Sequence, residues 1–239
     1  MIRAIIFDLF ETLVSEFDSD HPPADEVAET LQLEESAFKQ EYDRIRHDRY
    51  TGKFKDYPSV LRHIGREAGR PVSEVAIQDL SNRRMIAFGS LLQEAEPKIM
   101  QMLTQIKGLD FQLGLISNTE GSEVAQWATT PMASNFDVVV FSHEVGHVKP
   151  DPRIYHVACT GLDVEPSECC YVGDGGSDEL VGAAYVGMTP YCAAWYLKRH
   201  THILGSQITN ERSAGFSVIE EPEDLVTLLA VQIEEKSGS

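Results

Sequence analysis

The chain has 239 residues and a formal net charge of −18, with 42% hydrophobic and 24% charged side chains. That balance suits a soluble globular protein with a sizeable core. Its Lys and Arg are scattered rather than striped, which argues against nucleic acid as a partner, and no apolar run approaches the ~18 residues of a membrane span.

Met1 leads directly into a strand pattern, without the charged and apolar segments of a signal peptide, so a cytoplasmic protein is expected. The first apolar run, Ile2–Phe7, climbs to one carboxylate, Asp8, in the stretch IIFDLFETL. Residues 16–93 then carry no strand pattern. Helical spacing places helices over Ala24–Leu31, Glu35–Tyr50, Tyr57–Ala68 and Ser73–Leu91, punctuated by Pro22-Pro23, Gly52, Pro58 and Gly69-Arg70-Pro71. Further apolar runs follow at Phe111–Ile116, Val138–Phe141, Cys169–Val172 and Thr189–Ala193. Helical stretches follow some of them, at Asp151–Gly161 and Asp178–Gly187, and a last helix opens at Pro222. The tail from 234 to 239 is expected to fray.

Continuous apolarity marks strands buried on both faces. Strand, helix, strand in alternation predicts an α/β fold: a Rossmann-like parallel sheet with helices on both faces. The block from 16 to 93 reads as an inserted all-helical cap over the sheet's carboxyl edge, where ligands of such sheets bind. The core domain is then 1–15 with 94–239. The four cysteines, Cys159, Cys169, Cys170 and Cys192, make no CxxC pair and read as small buried thiols. The pairs His143/His147 and His200/His202 lack the spacing of a zinc helix and read as core or solvated side chains.

The strand ends carry the chemistry. They present Asp8, then Ser117 and Asn118 of LISNT, then Lys149 of HVKPDPRIY, then Asp174 and Asp178 of YVGDGGSDE. Alone, each reads as a turn or cap residue. In a parallel sheet all face one crevice, and together they form a candidate active site.

With these motifs in this order, the chain resembles the haloacid dehalogenase-like hydrolases, in their helical-cap branch. FDLFETL, LISNT, Lys149 and YVGDGGSDELVGAAYVGM resemble the family's four motifs. The resemblance covers residues 1–14 and about 95–200. It implies that Asp8 is a nucleophile forming a covalent aspartyl intermediate, that Lys149 pairs with Asp8 and the substrate anion, and that Ser117 with the Asn118 amide anchors a phosphate oxygen. It implies Mg²⁺ held by Asp8, Asp174 and Asp178 with the backbone carbonyl of Phe10, hard oxygen donors suited to that ion.

Phe10 departs from the D-x-D pattern of the phosphatases, whose second Asp protonates the leaving oxygen. Haloacid dehalogenases carry an aromatic residue there, because a halide leaves without a proton; their fourth motif, however, has Ser and Asn where this chain has Asp174 and Gly175. The expected activity is a Mg²⁺-dependent phosphatase acting on a small phosphorylated metabolite. The alternatives are a 2-haloacid dehalogenase acting on a haloacid, and a catalytically weak or non-catalytic protein that binds a phosphometabolite. Glu11 adjoins Phe10, and neighbouring side chains of an extended segment point apart, so Glu11 is expected to face the flap or solvent. His147 is another candidate proton donor, read by default as a rim histidine.

Overall fold

The computed structural model describes residues 1–237; the side chains of 208, 209 and 234–237 lie outside the description. Of the tail expected to fray, 234–237 continue the last helix, and 238 and 239 lie outside the described residues. Among the described residues, six strands form one sheet: β1 Ala4–Phe7, β2 Gln112–Ser117, β3 Val138–Phe141, β4 Cys169–Gly173, β5 Thr189–Ala193 and β6 Ser217–Ile219. Their order is β3-β2-β1-β4-β5-β6, and every pairing is parallel.

β1 is central because it is apolar on both faces. Ile5 and Phe7 enter one core with Leu113, Leu115, Cys170 and Val172, while Ala4 and Ile6 enter the other with Ile116, Cys169 and Tyr171. This alternation is the period of two that a strand imposes. Each large side chain so buried contributes about 1.5–3 kcal/mol. All four cysteines are buried, and none forms a disulfide.

The helices are α1 Ala24–Thr30, α2 Glu35–Arg44, α3 Arg46–Tyr50, α4 Tyr57–Glu67, α5 Glu74–Gln93, α6 Pro97–Gly108, α7 Gly121–Val124, α8 Ser142–Val145, α9 Pro152–Leu162, α10 Glu179–Tyr185, α11 Trp195–Arg199, α12 Thr201–Leu204, α13 Ser206–Ser213 and α14 Pro222–Ser237. The stretch expected as one helix over 35–50 breaks at Ile45, which leaves helical geometry at ψ 9° and seats its side chain in the core. Helices α1, α2, α4 and α5 hold an apolar cluster of their own, from Val27 to Leu80, which includes the buried Phe38, Leu61 and Ile64. α6 and α14 cover one face of the sheet, and α9 and α10 the other. No helix among the described residues is long and apolar enough to cross a membrane.

The chain runs from β1 out through β2 and β3, then returns to build β4, β5 and β6 on the other side. β1 therefore borders the switch point, where a crevice opens at the carboxyl edge. Phe7 pairs with both Leu115 and Val172. Asp8 is thereby level with Ile116 and Gly173, and Ser117 and Asp174 stand one residue further out.

Candidate active site

A cavity of about 460 Å³ lies over this edge, lined by Asp8, Phe10, Ser117, Asn118, Lys149 and Asp174 from the core and by Tyr42, Arg49, Tyr57 and Arg84 from the inserted helices. Asp8 is fixed by its position at the end of β1, where its N–H donates to the Val172 carbonyl at 2.9 Å. Lys149 reaches it from the loop before α9, with Nζ 2.5 Å from Asp8 Oδ1. The same ammonium donates to Glu179 Oε2 at 2.5 Å and to the Tyr171 hydroxyl at 3.2 Å.

Asn118 holds the lysine's backbone from both sides. Its Oδ1 accepts from the Lys149 N–H at 2.8 Å, and its Nδ2 donates to the Lys149 carbonyl at 3.2 Å. Ser117 is 1% exposed, and its Oγ has no protein partner. A buried hydroxyl so placed is available to a bound oxygen.

The carboxylates Asp8, Asp174 and Glu179 gather oxygens within 4.8 Å of one another, all buried. Burial and the neighbouring Glu179 raise the Asp8 carboxyl well above its ordinary range, against the pull of Lys149. Burial and Glu179 likewise push Asp174 up to about 6, with Arg212 opposing. Burial alone would lower the Lys149 ammonium; Asp8 and Glu179 outweigh that and raise it. The cluster is therefore short of positive charge. Hard oxygens this close, with that shortage, fit a divalent cation such as Mg²⁺.

Of the residues expected at the site, the structure brings together Asp8, Phe10, Ser117, Asn118, Lys149 and Asp174. Asp178 is the exception: it is exposed, at φ 53°, ahead of α10. The third carboxylate is its neighbour Glu179. In α10, Glu179 shares a face with the buried Gly182 and Ala183, whereas Asp178 stands three residues before the exposed Val181. Extending the 3.6-residue period one position further back would have selected Glu179. Its Oε1 accepts from the Gly175 N–H at 3.0 Å and its Oε2 from the Tyr171 hydroxyl at 2.8 Å. Gly173 is small because a Cβ there would collide with this carboxylate.

Glu11 also departs from expectation. Its backbone is not extended but left-handed, at φ 57°. The carboxylate is buried along the cavity wall, accepting from Ser15 Oγ at 2.8 Å and from the Glu16 N–H at 2.8 Å. Burial pushes it up to about 7. His147 is not among the residues lining the cavity, and its Nδ1 is buried without a partner. His143 stacks on Phe141 and contacts Thr119, and His200 meets Ser15 Oγ at 2.9 Å. Phe10 packs edge-on against Phe88 of α5, ring centroids 5.7 Å apart.

The roof was not foreseen. Glu120 and Glu123, just beyond Asn118, form buried ion pairs with Arg49 and Arg84 of the inserted helices. Tyr42 donates to Glu120 at 2.9 Å, and the Arg84 guanidinium lies 4.8 Å from both the Tyr57 and Phe88 ring centres. Removing one partner of such a pair costs about 3–5 kcal/mol. This network ties the insert to the segment that follows Ser117.

The model of the family described as haloacid dehalogenase-like hydrolase matches residues 2–187. The chain belongs to that family. A glyceraldehyde 3-phosphate phosphatase of Methanopyrus kandleri is 26% identical over 206 residues, covering 79% of this chain and 82% of the relative. An (S)-2-haloacid dehalogenase of a Pseudomonas species is 28% identical over 191 residues, covering 78% and 82%. Among solved structures, the 2-haloacid dehalogenase of Pseudomonas syringae pv. tomato superposes with a TM-score of 0.64 at 23% identity, over 97% of this chain and all of the other. This haloacid dehalogenase-like hydrolase thus has relatives named for both chemistries, and the distinction rests on its own residues.

Proposed function

We propose that this hydrolase is a Mg²⁺-dependent phosphatase of a small phosphorylated metabolite, working through an aspartyl phosphate on Asp8. The observation that carries the reading is the buried cluster of Asp8, Asp174 and Glu179 around Lys149. Breaking a carbon–halogen bond gives no use for a metal site, whereas Asp174 is a further buried carboxylate beside Asp8 that Lys149 does not reach. Residues 16–93 act as the cap, and 1–15 with 94–239 as the core. The buried thiols suit a cytoplasmic setting.

The Asp8 and Asp174 carboxylates and the Phe10 backbone carbonyl would hold the ion. Bound there, it screens the repulsion between an anionic nucleophile and an anionic phosphate. Glu179 is engaged by Lys149, Tyr171 and the Gly175 N–H, and so serves to fix the lysine. Ser117 Oγ donates to a non-bridging phosphate oxygen. An Asp8 oxygen attacks phosphorus, the ester P–O bond breaks, and its electron pair leaves with the alcohol oxygen. Water then attacks the same phosphorus and frees both Asp8 and inorganic phosphate. Phe10 has no proton to give, so leaving groups that depart unaided are favoured.

One observation supports a second reading, 2-haloacid dehalogenation. The position two residues after the nucleophile is filled by an apolar ring seated on Phe88. The test is to quench the enzyme during turnover of an aryl phosphate with Mg²⁺ and map covalent phosphate by mass spectrometry. The reading expects it on Asp8; a phosphate-free Asp8 during steady turnover contradicts it.

A further inference from the structure

Beyond the residues matched by the family model, the stretch from β5 to β6 folds into α11, α12 and α13 and lies against the active centre. It is anchored at several points. Trp195 Nε1 donates to the Thr12 carbonyl at 2.8 Å. Arg199 pairs with Glu96 at 2.6 Å and Asp18 at 3.2 Å, one just beyond the insert's end and the other just inside its start. At its far end, Arg212 of α13 lines the catalytic cavity, and its guanidinium forms an ion pair with the Asp174 carboxylate.

Arg212 is placed there by backbone as well as by charge. Gly175, at φ 83°, has no side chain, and a Cβ on it would run into the Arg212 carbonyl. The loop after β4 is thus shaped to admit this stretch of chain. The distribution of donors explains the attraction. Lys149 hydrogen-bonds Asp8 and Glu179, whereas Asp174 accepts from the Gly176 N–H at 2.9 Å and from Arg212. Three buried carboxylates against one lysine leave negative charge that a guanidinium relieves. The Arg212 side chain is 27% exposed, so it can swing to solvent without opening the core.

We propose that Arg212 is a resident cation of the active centre and that it competes with a divalent ion for Asp174. The inference rests on the reading of this cluster as a cation site. Arg212 holds Asp174 charge-paired and oriented until the divalent ion arrives, then yields the carboxylate to it. Apparent Mg²⁺ affinity is accordingly weaker than the ligands alone would give, by the strength of a charge-assisted hydrogen bond.

The test is calorimetric titration of MgCl₂ into the full chain, for wild type, Arg212→Ala and Arg212→Gln, without substrate. Both variants are expected to bind Mg²⁺ about tenfold more tightly, the factor for a single charged hydrogen bond. Far-UV circular dichroism identifies a variant that fails to fold, and the other then carries the comparison. Should neither fold, the NMR signals of the wild-type Arg212 guanidinium decide, since competition requires Mg²⁺ to shift them, and unshifted signals on Mg²⁺ binding overturn it. Unchanged or weaker Mg²⁺ binding in the folded variants overturns the competition while leaving the phosphatase reading intact. No Mg²⁺ binding by wild type or variants overturns both.

Discussion

The carboxyl ends of β1 and β4 lie side by side in the sheet, yet they are furnished differently. At β4, Asp174 and Glu179 are both buried carboxylates, and each has its own donors: Arg212 and the Gly176 N–H for one, Lys149, Tyr171 and the Gly175 N–H for the other. At β1, Asp8 shares Lys149, and two residues on the chain offers the ring of Phe10, packed on Phe88. The β4 end manages charge, and the β1 end pairs the proposed nucleophile with an apolar contact. On the proposed reading, such a centre attacks phosphorus and steadies the anion while Phe10 gives the departing oxygen no proton.

The comparison breaks first at Asp8. Asp8→Asn is nearly isosteric and cannot form the acyl phosphate, so turnover should fall by about four orders of magnitude or more, the scale of losing a nucleophile, with an unchanged circular dichroism spectrum. Turnover at the wild-type rate would remove Asp8 from the mechanism.

Phe10 sharpens it next. Alkyl phosphates should be turned over about 10²–10⁴ more slowly than aryl phosphates, the value of a general acid, and Phe10→Asp should recover alkyl substrates preferentially. The readout is the slope of log kcat/KM against leaving-group pKa. A shallow wild-type slope, unchanged in the variant, would assign the proton to another group, with Glu11 and His147 the first to replace.

At β4 the contrast is between neighbours. Glu179→Gln should lower kcat about tenfold by removing a charge-assisted bond to Lys149, while Asp178→Asn, at an exposed position, should change it less than about twofold. Steady-state kinetics on both variants checks this; the reverse ranking would restore Asp178 to the site.

The smallest effect concerns His21, which lines the cavity, stacks on Phe88 and is lowered to about 4 by burial, with Arg84 adding to it. Because its folded pKa lies below the ordinary 6.5, the folded state binds fewer protons than the unfolded one in between. Its contribution to stability is complete above pH 6.5 and is lost as pH falls toward 4. Discounted for partial exposure, His21→Phe should recover about 1–2 kcal/mol at acid pH and nothing near pH 8, measured by urea unfolding at both.

Much of this was legible in the sequence. Strands buried on both faces write themselves as unbroken apolar runs, and five of the six strands were read that way. Asp8, Ser117, Lys149 and Asp174 followed, because strand ends in a parallel sheet share one edge. What escaped reading was set by backbone direction or by distance. Glu179 differs from Asp178 by one step of helical phase. Glu11 turns into the cavity wall because its φ is positive where an extended segment was assumed. β6 is three residues long and mostly exposed, so it leaves little apolar signal. Arg212 meets Asp174 across 38 residues of chain, and no local pattern encodes that contact.

The central claim, that the completed β4 end makes this a metal-dependent phosphatase despite Phe10, is tested most directly by a panel of phosphomonoesters and 2-haloacids with and without Mg²⁺. The account predicts Mg²⁺-dependent release of inorganic phosphate, abolished by EDTA and strongest for aryl esters, with no halide released. Halide release from a 2-haloacid, undiminished by EDTA and with no phosphate released from any ester, would contradict it.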